Sequence, residues 1–173
     1  MGVDYPNQTE FVDKLAEVLV DNLHVKTLAL IHGNWSSLRG LFNGLRTQQA
    51  NIAELPQSNL DLENRNLGLK ELILQDSHLQ DNSLTDELTQ KDQSLLKQLT
   101  SLKVYQCRFA HVSWRKLVRQ NNTLTNLIVE NTEGCDDTDG ANVANFAGDL
   151  KENIASSRLE KFDFAISIRH YRS

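Results

Sequence analysis

Cysteine, aromatic residues and positive charge are all scarce in this chain of 173 residues. Its two cysteines, Cys107 and Cys135, are too few for a disulfide framework, so both are expected as reduced thiols, with Cys107 buried. Aromatics make up 6% of the chain, and 18 basic residues face 23 acidic ones, a net charge of −5. Without a basic footprint, neither nucleic acid nor an anionic lipid surface is expected as a partner. No run of about 18 apolar residues occurs, so no transmembrane helix is expected. Met1-Gly2-Val3-Asp4-Tyr5 lacks a basic region followed by an apolar one, and Pro6 stands where myristoylation needs Ser or Thr. The Asn-x-Ser/Thr triplets at Asn7, Asn34 and Asn121 are therefore read as chance. A cytoplasmic location is expected, with export by a specialised bacterial secretion system as the alternative.

What the chain has is leucine, in a recurring pattern. An apolar residue, two others, an apolar residue, one other and a third apolar residue occur as Val25-Leu28-Leu30 and Leu69-Leu72-Leu74. The pattern returns as Leu99-Leu102-Val104, Leu124-Leu127-Val129 and Leu159-Phe162-Phe164. Three residues past each copy stand Gly33, Ser77, Cys107, Thr132 and Ser167. All are small, and four carry a side-chain donor for the backbone as the chain turns away. Leu79 and Phe109 supply one more inward residue. Between copies the apolar spacing is helical: Phe11, Leu15, Val18, Leu19 and Leu23; Leu38, Leu41, Phe42 and Leu45; Leu84 and Leu88, then Leu95 and Leu96; Trp114, Leu117 and Val118; and Val143, Phe146, Ala147, Leu150 and Ile154. Thr9 and Ser36 are candidate N-caps. Trp114 is expected in the core, and Trp35 as a staple contact.

The segments Leu69-Lys-Glu-Leu72-Ile-Leu74-Gln-Asp-Ser77-His-Leu79 and Leu99-Thr-Ser-Leu102-Lys-Val104-Tyr-Gln-Cys107-Arg-Phe109 resemble the leucine-rich-repeat segment L-x-x-L-x-L-x-x-(N/C)-x-L. With helices between copies, the chain is most similar to the ribonuclease-inhibitor-like subclass. The resemblance implies an α/β solenoid of about five strand–helix units, with a parallel sheet on the concave side and helices on the convex side. Residues 1–173 then form one domain, 9–23 its N-terminal capping helix and 46–66 an irregular insertion. Spacing between the middle apolar positions is 44, 30, 25 and 35 residues (28, 72, 102, 127, 162), where a regular array keeps to roughly 20–29. The family Asn is replaced by Gly, Ser, Cys or Thr. A sixth strand at Leu60–Leu62 would leave too little chain for a crossover, so a loop is expected there. No capping helix is expected after the last strand. Its edge is expected to meet a partner, a second copy or further domain, or its own tail.

Strand residues alternate, so the residues between the leucines should form one outward wall. Ala29, Ile73, Lys103, Ile128 and Asp163 make its central column. Ile31, Gln75, Tyr105, Glu130 and Ala165 make the next, with His32, Asp76, Gln106, Asn131 and Ile166 beside it. Ile73, Tyr105 and Ile128 are expected to form an exposed apolar cluster with a polar rim. The candidate partner-binding residues are Ile31, His32, Ile73, Gln75, Asp76, Lys103, Tyr105, Gln106, Ile128, Glu130 and Asn131.

Reactive chemistry finds little support. Cys135-Asp-Asp137-Thr-Asp139-Gly140 fails as a calcium loop, because Cys135 and Phe146 stand where Asp and Glu are required; Asp139 is expected to cap a helix instead. A Cys-x-Asp nucleophile wants a basic neighbour, and Cys135 is surrounded by acids. His24, His32, His78, His111 and His170 lack zinc-site spacing, and no phosphate-cradling glycine loop or G-x-S-x-G elbow is present. No cofactor, metal or enzymatic activity is expected. The reading is a non-catalytic module that binds an unidentified protein through the concave sheet face. The alternatives are a bacterial effector that binds a host protein and, less favoured, an enzyme fragment.

Overall fold

The computed structural model describes residues 8–55, 67–90, 98–112, 114–120, 123–135 and 161–165. The protein is α/β with two parallel sheets. The first contains β1 (Thr27–Ile31), β3 (Glu71–Gln75), β5 (Ser101–Tyr105), β7 (Asn126–Glu130) and β9 (Lys161–Ala165), side by side in chain order. The pairing keeps one register throughout: Leu28, Leu72, Leu102, Leu127 and Phe162 are aligned, as are Leu30, Leu74, Val104, Val129 and Phe164. The second and third members of all five apolar triplets therefore lie in neighbouring strands; Leu159 lies outside the described residues.

The second sheet, which the sequence reading did not anticipate, orders β2 (Asn34–Trp35), β4 (His78–Leu79), β6 (Arg108–Val112) and β8 (Glu133–Cys135). Trp35 aligns with Leu79, and Leu79 with Phe109. Trp35 is thus the first member of the inward column that Leu79 and Phe109 announced, and it is buried.

A corner joins the sheets. His32, Asp76, Gln106 and Asn131 follow their strands with φ of 57°, 47°, 53° and 50°. The left-handed turn swings the chain inward while the ladder gains one more rung: His32, Asp76 and Gln106 donate backbone N–H bonds to the carbonyls of Gln75, Tyr105 and Glu130. The next residue then points inward. Ser77 Oγ, Cys107 Sγ and Thr132 Oγ1 donate to the carbonyl two residues back, at 2.7, 3.4 and 3.1 Å. These are the small donors the sequence singled out; Ser167 lies outside the described residues. The first unit has Gly33 here because the Trp35 ring fills the space, and a Cβ would stand 1.7 Å from it.

Among the described residues, α1 (Thr9–Asp21) precedes β1, and α2 (Arg39–Ala53), α3 (Ser83–Leu88) and α4 (Trp114–Gln120) lie between later strands. Their buried faces share one core with the strand leucines, including Leu38, Leu41, Phe42, Leu45, Leu84, Leu88, Trp114 and Leu117. Phe109 meets Trp114 edge-on, ring centroids 5.6 Å apart. Several sequence expectations shift. Helix α1 ends at Asp21 rather than 23, and it buries Val12, Ala16 and Leu19, leaving Phe11 and Val18 exposed. Thr9 and Ser36 cap neither helix. They bond each other, Oγ1 to Oγ at 2.8 Å, and tie the start of α1 to the turn before α2. Residues 46–53 of the expected insertion continue α2; 56–66, with the Leu60–Leu62 segment, lie outside the described residues, as do Leu95, Leu96 and the helix expected from Val143.

Two buried polar devices fix the helices. Gln48, fully buried, donates Nε2 to the Leu19 carbonyl at the end of α1 and accepts the Leu69 N–H at 3.1 Å with Oε1. Arg46 of α2 forms an ion pair with buried Glu87 of α3.

Replacing Gln48 with Leu keeps the volume but strands the Leu69 amide, and should cost about 1–3 kcal/mol in urea unfolding. Gln106→Gly should have the opposite sign. Releasing a left-handed non-glycine residue gains about 1–2 kcal/mol against about 0.5–1 for glycine's entropy. A lowered urea midpoint for Gln106→Gly would contradict the corner geometry.

Candidate functional site

The leucine columns point inward, so the residues between them form an outward wall on the first sheet, in columns whose members stand about 4.8 Å apart from strand to strand. Three columns follow from the register. Thr27, Glu71, Ser101, Asn126 and Lys161 open it; Ala29, Ile73, Lys103, Ile128 and Asp163 run through its centre; Ile31, Gln75, Tyr105, Glu130 and Ala165 close it. The side chains of β9 and Ile166 lie outside what is described.

The opening column was missed in the sequence reading, although the same alternation places it. It is a connected polar strip. Lys103 Nζ stands 3.1 Å from Glu71 Oε2, Ser101 Oγ donates to the same oxygen at 2.9 Å, and Asn126 Nδ2 donates to Ser101 Oγ at 2.9 Å. Lys103 is therefore a neutralised, half-buried cation. Glu71 and Lys103 already have partners here, so a ligand gains little by approaching them; among the described residues the buried Asn126 Oδ1 has none.

The central column differs from expectation at one point. Ile128 is buried, 7% exposed, and does not belong to an exposed apolar cluster. The register sets it between Lys103 and Asp163, whereas Ile73 stands between the short Ala29 and Lys103. Ile73 is half-buried and Ala29 is exposed.

The closing column is the most open to a ligand. Ile31 is 51% exposed, and Gln75, Tyr105 and Glu130 are half-buried in successive strands. Among the described residues no side chain pairs with the Glu130 carboxylate. His32, Asp76, Gln106 and Asn131 are all exposed as expected. However, they sit on the left-handed corner rather than on the extended wall, because the chain has already turned. They form a polar rim in which His32 Nδ1 lies 3.7 Å from Asp76 Oδ2. The structure thus gathers Ile31, Ile73, Gln75, Tyr105 and Glu130 on one wall with the four corner residues along its border, and withdraws Ile128.

Behind the wall, Cys107 is a free thiol in the core, and burial pushes its pKa up to about 11. A thiol held protonated is a poor nucleophile. Cys135 ends β8, and the rest of the 135–146 segment lies outside the described residues. No group of three His, Cys, Asp or Glu among the described residues could hold a metal ion. No helix there is long and apolar enough to cross a membrane.

No protein-family model matches the chain, and no curated protein matches it.

In a Cys135→Ser background, Cys107 should resist an aromatic disulfide reagent at about pH 8 and react within the unfolding transition. Rapid labelling of the native protein would contradict its burial.

Proposed function

We propose that the chain is an irregular leucine-rich-repeat solenoid, and that it acts as a non-catalytic module binding another protein through the outward wall of its first sheet. The observation that carries this reading is the shared register of five parallel strands. Register turns residues from strands as far apart in the chain as Thr27–Ile31 and Lys161–Ala165 into one continuous surface. The alternating strand and helix units, stacked in chain order, support the solenoid. Their uneven spacing is absorbed outside the strands.

Such a wall is held by hydrogen bonds on its opening column and by the core beneath it. Docking onto a surface already fixed costs little ordering entropy. The anchor is Tyr105, with an apolar body, a polar tip and few torsions to freeze. Ile31 and Ile73 provide apolar area on one side. Glu130 on the other side and the His32–Asn131 border provide polar contacts that set orientation. Catalysis has no comparable support, since the wall's lysine is tied to Glu71.

The test is affinity capture with the tagged chain and a Tyr105→Ala/Glu130→Lys variant. Both residues are only half-buried, so the variant should melt within a few degrees of the wild type. Losing an interface anchor costs about 2 kcal/mol or more, so a true wall partner should bind the variant at least about thirtyfold more weakly. Equal retention by both proteins would refute the reading. Ile128→Asp is unsuitable as a binding probe, because it buries a charge and should unfold the protein.

A further inference from the structure

The two outer columns of the sheet wall differ in how their polar groups are used. In the opening column Glu71, Ser101 and Asn126 are linked to one another, with Lys103 of the central column joined to Glu71. In the closing column Gln75, Tyr105 and Glu130 stand abreast on three successive strands, all half-buried. Among the described residues none of these three side chains has a hydrogen bond or an ion pair. Their backbones are fixed in the ladder, so the three polar ends are presented together.

No cation of the wall is placed to serve Glu130. From β1 to β7 the wall's cation is Lys103, and its Nζ reaches Glu71 in β3, on the side of β5 away from β7. Strand β9 sets Lys161 level with Asn126, about 13 Å along the strand from Glu130. It sets a second acid, Asp163, level with Ile128, in the column next to that of Glu130. This quarter of the wall therefore asks for positive charge from outside.

The ring beside the carboxylate selects the kind of cation. A guanidinium is planar, weakly hydrated and stacks on aromatic faces, whereas an ammonium is a compact, strongly hydrated point charge. Its fork of N–H donors also matches the acceptors on offer: both Glu130 oxygens, the Tyr105 hydroxyl and the Gln75 amide oxygen. A metal ion is not served, since no group of three His, Cys, Asp or Glu among the described residues could hold one. A second copy suits less well, because Arg39 and Arg46 of α2 are already paired with Asp81, Asp86 and Glu87. Resting on the reading of the wall as a docking surface, we propose that Tyr105 and Glu130, with Gln75, form a subsite for an arginine side chain of the partner protein. An aliphatic neighbour of that arginine lies on Ile31, which adjoins Gln75 in the same column, and on Ile73.

The experiment selects a phage-displayed library of random short peptides on the full chain and titrates the recovered peptides in solution. Peptides whose binding Ile31→Asp weakens should share an arginine, and should bind more weakly as salt rises. Lysine in place of that arginine should weaken binding severalfold. Glu130→Gln should weaken it about tenfold or more. Tyr105→Ala should do the same, while Tyr105→Phe, which keeps the ring, retains most of it. These substitutions lie on the outward face, so a retained melting temperature shows that each variant is folded. Peptides that need Ile31 and Tyr105 but carry no arginine would overturn the subsite and leave the wall as a docking surface. Peptides indifferent to Ile31, Tyr105 and Glu130, or no saturable binder at all, would overturn both. A lysine that replaces the arginine without loss would also refute the subsite, by reducing it to general charge attraction. So would a dimer in sedimentation that Glu130→Gln dissolves, which identifies a second copy. Arginine-peptide binding that appears only after deletion of residues 166–173 would do the same, by identifying the chain's own Arg169 or Arg172 as the occupant.

Discussion

Alternation in a parallel strand leaves no freedom to slip. If β3 moved by one residue against β1 or β5, Leu72 and Leu74 would turn to water, and Glu71, Ile73 and Gln75 would enter the core. Each buried leucine is worth about 1.5–3 kcal/mol, so the inward columns hold the register against any preference of the residues between them. The outward wall inherits its order from that constraint. Tyr105 stands beside Gln75 and Glu130 because Val104 stands beside Leu74 and Val129.

The corner extends the constraint into a second layer. A non-glycine residue pays for a positive φ, yet four successive corners adopt it without a glycine. Asn, Asp and His tolerate that region better than most residues; Gln106 is the least suited of the four. What compensates is the extra rung of the ladder at His32, Asp76 and Gln106 and the bond from Ser77, Cys107 or Thr132 back to the strand it has just left. Serine, cysteine and threonine are interchangeable here because each is small and each can donate.

Much of this could be read in the sequence because period-two spacing, once it recurs, leaves few arrangements open. The five strands, their inward leucines and the small donors after them all follow from it. Depth was harder to read. Ile128 and Ile73 have the same residue type in the same column and both have a strand on either side, but Ile73 stands beside the short Ala29 and Ile128 between Lys103 and Asp163; which residue the next strand brings alongside is not a local property. Trp35 was misplaced because its unit has glycine at the corner, which hides the likeness to Leu79 and Phe109. Helix α1 carries two adjacent apolar stripes, and spacing alone favoured the one containing Phe11 and Val18. The packed stripe instead contains Ala16, the only residue small enough for the close approach of Gly44. Thr9 and Ser36 had the chemistry of caps and used it on each other.

Gln48 has a further consequence. Its amide spans from the Leu19 carbonyl to the Leu69 amide, so the end of one helix and the approach to the next strand are joined through a side chain. The main chain between α2 and β3 is thereby relieved of the task of measuring that distance. A spacing of 44 residues among others of 25 to 35 is the kind of irregularity such a brace permits.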